Sequence, residues 1–315
     1  MGQLRAALPP LKNHAAARAP VVVAALIALL AGAGPGEAAP YREYEVRLHE
    51  DAGPPPGDPR SDADIINAVA RLMRDKLGLP FPAVTKAYVY VNQASLVDGL
   101  VRIAGETSEE AWDKGRVAAG VATRVGIFLR GDRLAHMHLL ARAGLFAHEL
   151  AHVSQLKMRE GGRGRAAQWI LEGHADWVKF RLLDLLGMQA YATSREEVVR
   201  SIVRSATRPK FFPGLEALTG NARWTSTTKQ LGPAATYGQA FLAVDWLIER
   251  YGSAKLLEFF ERFALDANPQ EHWRAVFPIP YRQFVDECRA RLEGPTLAPA
   301  EVSPAPAPPS FPRRP

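Results

Sequence analysis

Apolar and polar positions alternate along this chain with two periods. Ile65, Ile66, Val69, Leu72 and Met73 recur at helical spacing, and Ser61 or Asp62 stands where an N-cap belongs, so a helix is predicted over Asp62–Leu77. Lys86 to Val91 is rich in aromatic and β-branched residues and predicts a strand; Arg124 to Leu129 predicts another, closed by Gly131-Asp132. Tyr41 to His49 alternates loosely, as an edge strand does. Ser108-Glu109-Glu110-Ala111 opens a short helix or turn. From Arg133 onward the period is helical almost to the end. A long helix is predicted over Arg133–Met158, with Leu139, Ala143, Phe146, Leu150 and Val153 on its core stripe. Gly161, Gly162 and Gly164 make a turn into a second helix that runs to about Leu186. Further helices are expected at Ser194–Ser205, Ala234–Tyr251, Ser253–Phe263 and Tyr281–Leu292.

The pattern predicts an α+β architecture, with a small N-terminal β-sheet packed on a mainly helical C-terminal half. We divide the chain into 1–39, an α/β part at 40–131, a helical part at 132–293 and a Pro/Ala-rich tail at 294–315. The tail cannot bury enough apolar area to order itself, and Gly53 to Arg60 is a second Pro/Gly-rich break. No internal repeat is present.

Composition changes this picture little. A hydrophobic fraction of 47% and a charged fraction of 23% are ordinary for a globular protein. The net charge is +6, and no Lys/Arg cluster is interleaved with aromatic residues, so nucleic-acid binding is not expected. Cys288 is the one cysteine, which excludes an intrachain disulfide; its apolar neighbours mark it as a buried thiol rather than a nucleophile. The N-terminus does change the picture. Met1 to Ala19 holds Arg5, Lys12 and Arg18 without an acid, Val21 to Ala33 is an apolar run, and Gly36 and Ala38 are spaced for cleavage near Ala38 or Ala39. This reads as a signal peptide over 1–39 and predicts a secreted or periplasmic protein. The run falls short of the about 20 apolar residues of a membrane span, so membrane contact is expected only in transit, with an uncleaved anchor as the alternative. No pattern speaks to oligomeric state.

The chemistry concentrates in two segments. His148-Glu149-Leu150-Ala151-His152 places two imidazoles four residues apart on one helix face, with a carboxylic acid beside the first. Both rings can reach one cation, and Glu149 can reach a water on it. This is what a zinc hydrolase requires: nitrogen ligands, an open coordination position and a base. The second segment is Trp169-Ile170-Leu171-Glu172-Gly173-His174-Ala175-Asp176-Trp177. Read as a helix, it places Trp169, Glu172, Asp176, Phe180 and Leu183 on one stripe. Two acids in an apolar face need partners, because burying them alone costs several kcal/mol each. A dication with its histidine ligands would partner both: Glu172 as third ligand, Asp176 as acceptor of a ligand histidine's second N–H. His136, His138, His174, His49 and His272 are expected to be surface or locally hydrogen-bonded residues.

His148, Glu149 and His152, followed by Glu172 and then Asp176, resemble the gluzincin metallopeptidases, the thermolysin-like and aminopeptidase-type superfamily; the interval from His152 to Glu172 fits that pattern. The rival metzincin pattern needs Gly at 155 and His at 158, where this chain has Gln155 and Met158. The resemblance covers roughly residues 85–290. It implies a zincin-like fold with the metal between sheet and helices, one zinc ion on His148, His152 and Glu172, Glu149 as general base, and Asp176 supporting a ligand. Tyr237-Gly238-Gln239-Ala240-Phe241 is similar to the helix start that carries a catalytic tyrosine in aminopeptidase-type members, which would make Tyr237 an oxyanion donor. A core tyrosine at a helix start is the alternative. The resemblance also suggests Arg124–Leu129 as the strand that pairs with an extended substrate. The Gly-x-Met-Glu-Asn stretch that grips a free amine in the aminopeptidases is absent before His148, so internal cleavage of a peptide or protein substrate is expected. Two alternatives stand beside a peptidase: a zinc-containing binding module without catalysis, and a zinc hydrolase of another amide or ester.

Overall fold

In a computed structural model of the chain, which describes residues 41–46, 61–162, 164–294 and 297, the sheet forms on the apolar runs. Strands β1 (Tyr41–Glu45), β2 (Lys86–Tyr90), β3 (Gly120–Thr123) and β4 (Gly126–Arg130) lie in the order β1-β2-β4-β3. β2 pairs antiparallel with β1 and parallel with β4, and β3 folds back antiparallel on β4. Successive side chains alternate between faces. Ala87, Val89, Ile127 and Leu129 enter the main core, while Tyr88, Tyr90, Val121 and Phe128 form a smaller aromatic cluster on the other face. Burial of both faces explains why β2 and β4 read as continuous apolar runs.

Helices supply both covers. α1 (Asp62–Leu77) starts on a reciprocal capping box between Ser61 and Asp64 and ends at left-handed Gly78. α2 (Gln93–Arg102) and α3 (Ser108–Val117) cover the aromatic face through Leu96, Leu100 and Ala111. After the single turn α4 (Gly131–Leu134) comes α5 (Leu139–Met158), then α6 (Gln168–Leu185) and α7 (Tyr191–Val203). The chain continues with α8 (Asn221–Leu231), α9 (Tyr237–Tyr251), α10 (Ser253–Glu261), α11 (Pro269–Val276) and α12 (Tyr281–Glu293). The fold is therefore α+β, mostly helical, with a small mixed sheet on its N-terminal side, and sheet and helices share one core.

Several boundaries differ from expectation, each for a local reason. The helix expected from Arg133 is interrupted: His138 is extended, and its Nδ1 accepts the Ala141 N–H at 3.1 Å, so a side-chain cap restarts the helix at Leu139. Leu139 is consequently 40% exposed instead of lying on the core stripe. Arg124 and Val125 form a hairpin turn rather than strand, because Thr123 Oγ1 takes the Val125 N–H at 3.3 Å. Strand β3 and helices α2, α8 and α11 were not expected; β3 is short and built from small residues. α6 was expected to bury one stripe, yet it is buried on nearly all sides between α5 and α9. Gly173 permits this enclosure, since a Cβ there would lie 2.3 Å from the Ala240 carbonyl oxygen on α9.

Leu297, within the stretch expected to be an unstructured tail, is buried. Residues 1–39, His49, the Gly53–Arg60 break and the tail apart from Gly294 and Leu297 lie outside the described residues. Among the described residues no helix is long and apolar enough to cross a membrane.

Candidate metal centre

Helix α5 carries His148 and His152 one turn apart, so both rings leave the same side of the rod. Their Nε2 atoms are 3.2 Å apart and their ring planes stand 83° to each other. Glu172 comes from α6, where Oε2 lies 3.2 Å from His148 Nε2 and 3.5 Å from His152 Nε2. Among the described residues these three form the one cluster of His, Cys, Asp or Glu able to hold an ion.

The protons on this cluster follow from its neighbours. His148 Nδ1 is 3.0 Å from Asp176 Oδ1, an acceptor, so Nδ1 carries the hydrogen. His152 Nδ1 is 2.9 Å from Gln155 Oε1. The orientation of that amide is fixed from its other end, where Gln155 Nε2 donates to the Leu171 carbonyl oxygen at 2.9 Å and to His174 Nδ1 at 3.0 Å. His152 therefore also carries its hydrogen on Nδ1. Both Nε2 atoms then present lone pairs to each other and to a carboxylate oxygen. Three electron-rich atoms at such distances repel unless a cation or a proton lies among them.

The electrostatics agree. Burial would lower the His148 pKa, but the hydrogen bonds to Asp176 and Glu172 outweigh it and raise it to about 10. His152 is likewise raised, with burial opposed by the charge of Glu172. Burial would raise Glu172, yet the two imidazoles hold its carboxyl well below the usual range. The cluster is arranged to keep positive charge at its centre.

The donor set fits zinc. Nitrogen and oxygen ligands at about 2.0–2.2 Å in tetrahedral geometry are separated by about 3.3–3.6 Å from one another. The observed separations of 3.2, 3.2 and 3.5 Å fall within or just below that spacing. Glu172 Oε1, turned away from the cluster, accepts from Gln168 Nε2 at 2.6 Å, and Arg165 in turn donates to Gln168 Oε1. Every donor-bearing side chain is thus held by a further hydrogen bond, as ligands of a tuned metal site are.

Glu149 sits between the cluster and the sheet edge. The Ala122 backbone of β3 lies near its carboxylate and weakly favours the charged form. Gly120 leaves it room, since a Cβ there would come 2.7 Å from Glu149 Cγ. Burial raises its pKa against the pull of His148 and His152. Tyr237 opens α9, with its ring centroid 6.4 Å from that of His148 and 4.9 Å from that of Trp224. The Trp224 side chain beside Tyr237 opposes the rise that burial causes in its pKa. Burial raises the Tyr237 pKa and keeps the phenol protonated. A cleft of about 700 Å³ runs from His148, Glu149 and Tyr237 along α5, α6 and α7.

The fold thus brings His148, Glu149, His152, Glu172, Asp176 and Tyr237 together. It does not bring the expected substrate strand to the edge. β4 has neighbours on both sides and is interior; the strand facing Glu149 is β3. Gln155 and Gln168 were not anticipated as partners, although their spacings of three from His152 and four from Glu172 put them on the ligand faces. Of the other histidines, His138 caps α5, His174 is buried against Gln155, and His272 is buried with Nε2 3.2 Å from the Asp266 carbonyl oxygen. The chain matches no family model, no curated protein and no solved structure.

Proposed function

We propose that the chain is an exported zinc-dependent peptidase of the gluzincin kind, with a zincin-like arrangement of sheet and helices about the metal. One observation carries this reading: two imidazole lone pairs and a carboxylate oxygen converge, with their other polar atoms already bonded, on a point flanked by Glu149 and open to a cleft. A purely structural zinc site closes its fourth position with another protein ligand and has no use for an adjacent base. His148, His152 and Glu172 would hold the ion. Zinc bound there supplies Lewis acidity, which brings the pKa of its water to about 7 and polarises a carbonyl.

The chain's own residues do the rest. Asp176 and Gln155 fix the imidazole tautomers and orientations. Glu149 accepts a proton from the attacking water and hands it to the leaving amine. Tyr237, kept protonated by burial, donates its phenolic hydrogen to the oxygen on which negative charge develops. The edge of β3 offers backbone groups to an extended peptide by strand addition, the role that the resemblance suggested for Arg124–Leu129. The basic and apolar segment at 1–39 supports export.

The test combines metal analysis of the purified chain with digestion of a mixed peptide library. About one zinc per chain is expected, with cleavage that a chelator abolishes and zinc restores. Glu149→Gln is expected to keep the zinc and lose about a hundredfold to ten-thousandfold in turnover. Unchanged turnover in that variant removes Glu149 from the mechanism, and zinc without cleavage of any peptide overturns the peptidase reading.

A further inference from the structure

The cleft leading away from the metal ligands is largely apolar, with Leu140, Leu145, Phe180, Leu183 and Val198 along its walls. Into this surface projects one Lys or Arg side chain among the lining residues, Lys179 of α6. Its stem passes over Gly144 of α5, whose Cβ, if present, would lie 3.4 Å from Lys179 Cε. Its Nζ lies 3.3 Å from Asp176 Oδ1 and 4.6 Å from the Phe180 ring centroid. The side chain is 31% exposed and lines the cleft.

A count of donors and acceptors singles this group out. Three carboxylates line the cleft: Asp176 takes His148 Nδ1, Glu197 takes Gln189 Nε2 at 2.8 Å, and Glu149 is the base of the proposed reaction. An ammonium has three hydrogens. Lys179 uses one on Asp176, at a distance near the long limit of a hydrogen bond. The rest of the ammonium borders the Phe180 ring and a largely apolar groove, where a charged hydrogen bond is stronger than in water.

The position gives the register. His148 of α5 faces Asp176 of α6, and Gly144, one turn earlier, faces Lys179. One helical turn along the groove is about 6 Å, and an extended peptide advances about 3.3 Å per residue. Resting on the peptidase reading above, we propose that Lys179 receives a carboxylate of the bound peptide, carried one or two residues from the bond that is cut. That carboxylate is either the peptide's own C-terminus or an Asp or Glu side chain; the two share one chemistry and differ in the test.

The probes are apolar tetra- to hexapeptides capped with the uncharged dansyl fluorophore, each prepared as free acid and as C-terminal amide, with Glu and Gln versions of the amides. Binding is measured by anisotropy to the full zinc-loaded chain carrying Glu149→Gln, which holds peptide without cutting it; cleavage is followed with the unsubstituted chain. Carboxylate-bearing peptides are expected to bind about tenfold tighter than their neutral partners, the yield of one charged hydrogen bond in a partly exposed site. Lys179→Met should erase that difference and Lys179→Arg should retain it. Preference for free acid over amide assigns the terminal carboxylate; preference for Glu over Gln among the amides assigns a side chain. Equal binding of charged and neutral peptides, or equal weakening of both by Lys179→Met, overturns the proposal. Cleavage that Glu149→Gln abolishes, but with no charge preference, leaves the peptidase reading standing without Lys179. A chain that cuts no peptide removes the peptidase reading, and the binding arm still decides the role of Lys179.

Discussion

The two helices that carry the proposed metal ligands are built to different rules. α5 has a core side, with Ala143, Phe146, Leu150 and Val153 buried, and a second side that borders the cleft. α6 has no outer side over most of its length. Trp169, Ile170, Gly173, Ala175, Val178 and Leu182 are buried around its whole circumference, and Glu172 and Asp176 are buried with them. On α5 the donors leave a helix with one open side; on α6 the acids sit in a helix enclosed over most of its length, where each must be neutralised. The two rods are joined by Gln155, which bonds His152 on its own helix and Leu171 and His174 on the other. Damage to α5 should therefore tell mainly on the metal, and damage to α6 on metal and fold together.

The largest expected effect breaks the comparison at the donors themselves. His152→Ala and Glu172→Gln should each weaken zinc binding by more than about a hundredfold, since structural zinc sites of four ligands are worth about 10–16 kcal/mol, several kcal/mol for each ligand. Titration with a competing chelator reads this out. Only the α6 variant should also change the stability of the metal-free chain, because Glu172 answers Gln168 and both imidazoles inside the core. Zinc retained at full stoichiometry in either variant would remove that residue from the ligand set. Next comes Gly173→Ala, where the added methyl meets the backbone of α9 and not a flexible side chain. Overpacking of this kind should cost about 1–3 kcal/mol or more. The midpoint of chemical denaturation, measured without metal, is the check; an unchanged midpoint would mean that α6 and α9 are less tightly apposed.

The same contrast decides what the amino-acid pattern discloses. α5 keeps helical periodicity, so its core stripe and its two histidines can be read from spacing alone. α6 disclosed its acids but not its enclosure, because a helix apolar on every side has no face for periodicity to find. The acids were informative for that reason: ionised groups in such a helix require partners, and Asp176 and Glu172 have them. Boundaries set by one side chain were beyond periodicity, as at His138, which caps α5 with an imidazole nitrogen rather than with the oxygen of a usual N-cap residue. β3 escaped because four residues containing Gly120 and Ala122 lack the bulk that marks a strand. Their smallness has a cause at the site, where Gly120 makes way for Glu149.

A smaller effect sharpens the comparison at the supports. Asp176→Asn keeps an oxygen for His148 Nδ1 and loses only charge, whereas Gln155→Leu strands the His152 Nδ1–H and the His174 Nδ1 lone pair. Both should reduce zinc affinity by about tenfold to a hundredfold, as the loss of ligand-supporting hydrogen bonds does. Gln155→Leu should in addition lower stability by about 1–3 kcal/mol, because it leaves buried polar atoms without partners. Denaturation of the metal-free variants beside chelator titration separates the two quantities. Equal losses of stability would mean that the Gln155 link between α5 and α6 carries no more than the Asp176 charge.

The smallest effect is the mirror of Gly173→Ala and is expected to have the opposite sign. Gly144 lies on the cleft side of α5, one turn before His148, and a methyl group there would meet the Lys179 side chain at 3.4 Å, an ordinary van der Waals contact with a flexible stem. No backbone opposes it. Alanine is the better helix former by about 0.8–1.0 kcal/mol, partly because it restricts the unfolded chain. Gly144→Ala should therefore raise the denaturation midpoint by an amount corresponding to somewhat less than that, with zinc affinity unchanged because no ligand or its partner moves. Gly173→Ala has the same gain in helix propensity to offer and should still lose. Two identical substitutions on neighbouring helices, with opposite outcomes, would locate the enclosure in α6 itself; a loss at both positions would mean that the cleft side of α5 is packed as tightly as the core.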